Sequence, residues 1–404
     1  MPEATQPRDA ATPVVSAFYD RFPYPGDPLQ DGPPPGYNWR WCVDSAHAVA
    51  RGAIPAAAPG GLRPWRILDA GCGTGVSTDY LCHLNPGASV LAVDISGGAL
   101  EVARERTRRS GAAGQVNELR IEQRSLLDLE GEGPFDYINS VGVLHHLREP
   151  EAGLRSLAAR LAPGGVLHLF LYADGGRWEI HRTQRALTLM GVGTGAEGLR
   201  LGRQLFTDLP ESNRLRRHHE QRWALDTTAD ANFADMYLHP QETSYDVTRL
   251  LAFVASAGLH FAGFSNPEVW DPARLLTGEL LERAQSLPEL EQWLLVEALD
   301  PDISHFEFFL TPAPVERPDW SDSQRLLATG FVRNRCLWGW PSSSLLGPDL
   351  MPLALDESDL PLAAAVDAAP GEALAALQLP MDPAERCERA RRLIAQRVLL
   401  PVVS

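Results

Sequence analysis

Ile67-Leu68-Asp69-Ala70-Gly71-Cys72-Gly73-Thr74-Gly75 reads as a buried strand that ends at a carboxylate and runs straight into a glycine loop. A second strand, Val90-Leu91-Ala92-Val93-Asp94, ends on another acid. Glycine has no Cβ to keep a nucleotide-like ligand away from the backbone. A carboxylate at the end of the next strand is placed to accept both hydroxyls of a ribose. The order strand, Asp69, glycine loop, helix, strand, Asp94 points to a doubly wound α/β fold around an adenosine-containing cofactor.

Which cofactor follows from what the loop lacks. Dinucleotide folds ask for G-x-G-x-x-G, but the glycines here stand at 71, 73 and 75, and position 76 is Val. A Walker loop ends in Gly-Lys-Ser/Thr, and the chain has no lysine, which also excludes Schiff-base and pyridoxal chemistry. An acid two residues before the first glycine repels a pyrophosphate and suits an amino group and a sulfonium. On these residues the chain resembles the class I S-adenosylmethionine (SAM)-dependent methyltransferases, whose first motif is an acid followed by G-x-G-x-G.

The resemblance runs closely over roughly residues 60 to 175. Arg120 to Asp128 resembles the third strand and adenine loop, with Ser125 where many relatives carry aspartate. Phe135 to Leu147 resembles the fourth strand and its "V-L-H-H-L" loop, and Leu161 to Tyr172 the turn and fifth strand. The family implies a Rossmann-like fold with a seven-stranded, mostly parallel sheet, and SAM as cofactor. It implies SAM contacts at Asp69, Ala70, Gly71, Cys72, Gly73 and Gly75, at Asp94 and Ile95, at Ser125 and Leu126, and at Ser140.

At 404 residues the chain exceeds one ordinary core. Its aliphatic runs are short and broken, and Met1 to Thr12 lacks a signal-peptide pattern. A cytoplasmic enzyme without membrane attachment is expected. The five cysteines form no C-x-x-C pair, so neither structural zinc nor a disulfide framework is expected, and no catalytic metal. A net charge of −16 argues against nucleic acid as substrate.

Four parts are expected. Residues 1–60 form an aromatic, proline-rich segment that either seals the edge of the core or covers the cofactor as a lid, with Arg40 on the cofactor carboxylate. Residues 61–312 form the methyltransferase domain, with a helical cap at about 176–234 and a second insertion at about 272–299. Helices are expected over Trp178 to Met190, Leu199 to Leu205 and Thr243 to Ala257, the last capped by Thr243 or Ser244. Residues 313–404 form an accessory module with helices over Glu372 to Leu379 and Pro383 to Leu399. That module either dimerises the protein or docks a partner through Trp338 and Trp340.

Methyl transfer needs a nucleophile held dry and in line, and a base where the nucleophile carries a proton. Candidate bases are His145 and His146 after the fourth strand, and His239 and Glu242. The latter pair lies in Asp235-Met236-Tyr237-Leu238-His239-Pro240-Gln241-Glu242, which resembles a "Y-x-H-P-x-E" signature found in a subset of methyltransferases. It reads equally as the capped start of a helix. Candidate acceptor-side residues are Tyr19, Tyr24, Tyr37, Trp39, Tyr172, Asp235 and Tyr237. Three readings of the substrate stand: a side-chain nitrogen on a partner protein, a small molecule of quinone or secondary metabolism, or SAM binding without activity. In size, aromatic N-terminus and late module the chain resembles the cyanobacterial methyltransferases that act on an asparagine of phycobiliproteins.

Overall fold

The computed structural model describes residues 12–56 and 63–403. Its centre is a seven-stranded sheet built from β2 (Arg66–Ala70), β3 (Ser89–Asp94), β4 (Glu118–Gln123), β5 (Phe135–Val141), β6 (Leu161–Tyr172), β7 (His260–Phe264) and β8 (His305–Thr311). The order across it is β4-β3-β2-β5-β6-β8-β7. All neighbours are parallel except β8, which runs antiparallel to both β6 and β7. This is the expected α/β sheet, and its inner strands β2, β3, β5 and β6 are largely buried on both faces. Neighbouring residues therefore serve opposite cores: Leu68 packs in one apolar cluster and Ile67 in the other, as do Leu91 and Val90. No helix among the described residues is long and apolar enough to cross a membrane.

The N-terminal segment opens with α1 (Thr12–Arg21) and reaches α2 (Val43–Arg51). The helices α3 (Val76–Leu84), α4 (Gly97–Ser110) and α5 (Pro150–Ala158) are the crossovers of the sheet. After β6 comes a cap of α6 (Trp178–Leu189), α7 (Ala196–Asp208), α8 (Arg214–His218) and α9 (Asp230–Leu238). The next helix, α10 (Val247–Ser256), starts later than its apolar spacing suggests. Asp246 caps it by accepting the Arg249 N–H at 2.7 Å, while Tyr245 is still bridged to Ala173 at the end of β6. The insertion before β8 folds as α11 (Gly278–Gln285) and α12 (Glu289–Leu299).

Residues after Pro312 fold around their own apolar cluster. They carry α13 (Ser323–Ala328), β9 (Gly330–Arg333), β10 (Ser344–Leu346), β11 (Pro352–Ala354), α14 (Leu360–Ala368), α15 (Pro383–Ala395) and β12 (Leu399–Val403). Strand β12 pairs antiparallel with β9 and parallel with β1 (Ile54–Pro55), which joins the stretch just after α2 to the C-terminal module in one small sheet. The helix expected over Glu372 to Leu379 is not there. It lies earlier, at 360–368, and 372–379 is a loop whose Leu374 and Ala375 amides bond to Thr329 and Leu327. The Arg386 guanidinium collects four carbonyls of that loop, Leu374, Ala375, Leu377 and Leu379. Side-chain capture of backbone carbonyls here competes successfully with helix formation.

Candidate active site

A cleft of about 220 Å³ opens at the C-terminal ends of β2, β3 and β5, where an open α/β sheet places its ligands. Its floor is the glycine loop, Gly71 to Gly73, and its sides are Asp94 and Ile95, Ser125 to Leu127, and Val141 to Val143. The glycines are needed mainly for what packs against them. A Cβ on Gly71 would fall 2.3 Å from Val143 Cγ2, and one on Gly73 2.3 Å from the Tyr24 carbonyl oxygen. Both have positive φ, +83° and +52°. Asp94 accepts the Gly73 and Ser96 N–H groups, each at 2.8 Å, and thus ties the loop to the start of α4.

The N-terminal segment covers this cleft. Asp20 at the end of α1 accepts the Ser96 hydroxyl (2.8 Å) and the Gly98 N–H (3.0 Å). The strap after it lies across the glycine loop, with Tyr24 O accepting the Thr74 N–H at 3.0 Å and Pro25 O the Thr74 hydroxyl at 2.7 Å. Val15, Tyr19, Tyr24, Pro25 and Trp41 all line the cleft. Trp41 was not among the expected residues, although it stands two positions after Trp39 in the same run. Its indole N–H donates to Asn139 at 3.1 Å.

Several expected cofactor residues stand behind the cleft. Asp69 is buried, and its carboxylate is taken up by Ser77 (2.7 Å), Thr78 (2.6 Å) and Asn139 (2.8 Å). It organises the loop and the first turn of α3 instead of facing a ligand. Ala70, Gly75 and Ser140 do not line the cleft either; Gly75 is held by α4, where a Cβ would meet Ala103 at 2.8 Å. Arg40 is engaged by Glu307 at 2.6 Å and by Asn266, and does not line the cleft. Tyr37 and Trp39 belong to a different contact: the Tyr37 hydroxyl donates to Gly347 O at 2.8 Å and the Trp39 indole to Asp349 at 2.6 Å. Gly71, Cys72, Gly73, Asp94, Ile95, Ser125, Leu126, Tyr19, Tyr24 and His146 are gathered as expected.

Beyond His146 lies a buried polar cluster. Asp235 accepts the Tyr19 hydroxyl at 2.8 Å and the Tyr172 hydroxyl at 3.3 Å. His146 Nδ1 is 2.8 Å from the Gln241 carbonyl, which only accepts, so the proton sits on Nδ1 and the Nε2 lone pair has no hydrogen-bond partner among the described residues. His239 shows the reverse: its Nδ1 accepts the Gln241 N–H at 3.1 Å, so its Nε2 carries the proton. The two rings lie 3.8 Å apart. Nitrogen and oxygen atoms of His146, Asp235 and His239 come within 4.8 Å of one another, a spacing that can gather a cation. The His239 tautomer turns an N–H rather than a lone pair toward such an ion. Burial lowers the pKa of His146 against the pull of Asp235, and burial with His146 lowers His239 to about 2. Burial also raises the Asp235 carboxyl and the Tyr19 hydroxyl.

His145, Glu242 and Tyr237 are not placed for chemistry. His145 is fully buried, stacked 3.8 Å from the Tyr172 ring, and both its ring nitrogens lack partners among the described residues. Glu242 is clamped by the Arg177 guanidinium through two 2.8 Å bonds and by His181 at 3.0 Å. Burial alone would raise this carboxyl, but Arg177 and His181 hold it well below the carboxylate range. It anchors α6 and cannot act as a base near neutral pH. Arg177, unforeseen in the sequence, also lies 3.4 Å over the Tyr172 ring. Tyr237 points into the cap, where its hydroxyl meets His219 at 3.0 Å.

A family described as a methyltransferase domain matches residues 68–167. An uncharacterised protein of Synechococcus sp. is 47% identical over 400 residues, covering 98% of this chain and 94% of that protein. An uncharacterised phycocyanin operon protein W of Pseudanabaena tenuis is 47% identical over 106 residues, 26% of this chain and 93% of that one. A ubiquinone biosynthesis O-methyltransferase of Xanthomonas campestris is 33% identical over 147 residues, 36% of this chain and 53% of that enzyme.

Proposed function

The chain belongs to the class I SAM-dependent methyltransferases, in one family with the Synechococcus protein, and from that premise we propose that it methylates a side-chain nitrogen of a partner protein, an asparagine of a phycobiliprotein being the acceptor its site suits best. The cleft fits the cofactor. Asp94 is positioned for the ribose hydroxyls, Ile95 and Leu126 for the faces of adenine, and Ser125 for its edge. With Arg40 engaged elsewhere, the methionine carboxylate falls to the first N–H groups of α3 at Val76 and Ser77, which line the cleft. Bound there, SAM supplies an electrophilic methyl group on a sulfonium.

One observation carries the choice of acceptor. The acceptor end presents one free proton acceptor, His146 Nε2, and one hydroxyl without a partner among the described residues, that of Tyr24. A carboxamide needs that pair: its N–H meets the imidazole and its carbonyl accepts from the tyrosine. His146 then takes the amide proton at Nε2 as the N–C bond forms, its tautomer set by Gln241, and Asp235 offsets the positive charge that develops on the ring. Tyr19, Tyr24 and the strap exclude water. The phycocyanin operon name of the Pseudanabaena relative supports a protein of that kind as partner.

The likeness to a ubiquinone O-methyltransferase favours a small phenol as second reading. A phenol needs only a base and leaves the Tyr24 hydroxyl idle. The test is mass spectrometry of purified phycocyanin after incubation with methyl-labelled SAM and this enzyme. One label on an asparagine is expected, lost in His146→Ala. Label on quinones of a lysate with none on phycocyanin would replace this reading by the small-molecule one.

A further inference from the structure

Helix α6 buries one side and leaves the other bare. Ile180, Thr183 and Leu187 are buried, the two aliphatic ones on the cap core that also holds Phe18 and Phe22. Trp178, Arg182, Arg185 and Leu189 recur at i, i+4, i+7 and i+11, so they form one stripe along the opposite side. All four are exposed, Trp178 by 42% and Leu189 by 69%. The Trp178 ring lies between two guanidiniums, Arg182 at 5.0 Å and Arg214 of α8 at 4.7 Å. Arg217, exposed on α8, extends the same basic patch. Among the described residues, Arg182, Arg185 and Arg217 have no carboxylate partner.

This patch is out of keeping with the rest of the protein. Residues 176–234 hold nine arginines against seven carboxylates, whereas the chain as a whole carries −16. An exposed tryptophan flanked by Arg182, which has no carboxylate partner among the described residues, and by Arg214, which is paired with Glu179 at 2.6 Å, combines the two residue types most enriched at binding hot spots. The stripe also begins next to the acceptor site. Arg177, one residue before Trp178, covers Tyr172 and grips Glu242, and His181 one turn later reaches the same carboxylate. A protein held on this stripe is therefore held at a fixed place relative to the cleft.

We propose that the outer face of α6, with Arg214 and Arg217 of α8, is the docking surface for the acceptor protein, and that it grips an acidic surface presenting carboxylates to Arg182, Arg185 and Arg217. The inference rests on the protein-acceptor reading above. It assigns to the cap what the sequence suggested for the C-terminal module. In a chain that is acidic as a whole, a face with three arginines unpaired among the described residues suits an acidic partner, and complementarity of this kind sets orientation and encounter rate.

The test uses the full chain, phycocyanin as acceptor, and two variants, R182E/R185E/R217E and W178A. Melting temperature and SAM affinity should match the unaltered enzyme, since none of these side chains touches the cleft. KM for phycocyanin should rise roughly tenfold in the triple variant with kcat changed less than about twofold, and the gap should close as salt is raised to about 0.5 M. Unaltered enzyme that methylates phycocyanin while both variants keep its KM would overturn the docking surface and leave the protein-acceptor reading standing. Enzyme that leaves phycocyanin unmethylated would overturn both. A mixed-sequence RNA held by the unaltered chain more tightly than phycocyanin, and released by R182E/R185E/R217E, would reassign the patch to nucleic acid.

Discussion

Asp94 accepts two backbone N–H groups and faces the cleft, so its removal acts twice. Asp94→Ala should weaken SAM binding about tenfold to a hundredfold, the loss of one charge-assisted contact worth roughly 1.5–3 kcal/mol. It should also lower the melting temperature, because the Gly73 and Ser96 amides lose their acceptor. Titration calorimetry showing undiminished affinity would remove Asp94 from the ribose site. The buried histidines set the response to acid. Burial lowers His47 to about 4, and His239 stands at about 2, while both are near 6.5 in the unfolded chain. As pH falls the unfolded chain binds these protons first. The stability due to keeping the rings neutral is complete above about pH 6.5 and is lost below it, by at most about 1.4 kcal/mol per unit for each ring. Melting temperature should be flat from pH 8 to 7 and fall between 6.5 and 5, less steeply in His47→Gln; equal slopes in the two proteins would exclude His47 as a cause. The sheet side of the cleft was legible in the sequence, because Gly71 to Gly73, Asp94 and Ile95, Ser125 to Leu127 and Val141 to Val143 stand at or just after strand ends. The partners of Asp69 and Arg40 were not: a carboxylate met by Asn139 and a guanidinium met by Glu307 depend on contacts seventy and more positions away.

At the scale of elements, the first two strands were legible as apolar runs ending in an acid and the last two by alternation, whereas β4, Glu118–Gln123, is only half-buried and was placed by its resemblance to the family. Helix ends were harder. Asp246, and not Thr243 or Ser244, starts α10, and 372–379 is held open by Arg386; both outcomes turn on which side chain reaches a backbone group first. The strap over the glycine loop is an element that motif reading suggested only as a lid. Its closeness to Gly73 makes it testable. Gly73→Ala places a Cβ 2.3 Å from the Tyr24 carbonyl, and neither backbone can yield without breaking the Thr74 bonds to Tyr24 and Pro25. The variant should stay folded, since the sheet is untouched, but the strap should become open to limited proteolysis and SAM affinity should fall. A variant as resistant to protease as the unaltered enzyme, with the same affinity, would show that the strap does not close the cleft.

At the scale of the whole molecule, the residues after Pro312 are joined to the stretch from Trp39 to Pro55, and this changes what they do. Read from sequence, a module beginning after Pro312 is separable, and its removal spares SAM binding. In the fold it shields the N-terminal segment from solvent. Trp39 and Cys42 are 1% and 2% exposed, and Cys336 of the module belongs to the same apolar cluster. Arg397 lies 4.9 Å over the Trp39 ring, Ser45 bonds to Asn334 at 2.8 Å, and β1 has β12 as its partner. Truncation would uncover this apolar surface at about 2.5 kcal/mol per 100 Å², against a total stability on the order of 5–15 kcal/mol. A chain ending at Pro312 should therefore melt more than about 10 °C lower, or aggregate, and lose SAM binding along with its fold. Adding residues 313–404 back as a separate polypeptide should restore part of the melting temperature, because the two pieces share one small sheet. If the shortened chain melts within about 3 °C of the full one and binds SAM equally well, the module is peripheral after all, and the lid must be held by α1 and the strap alone.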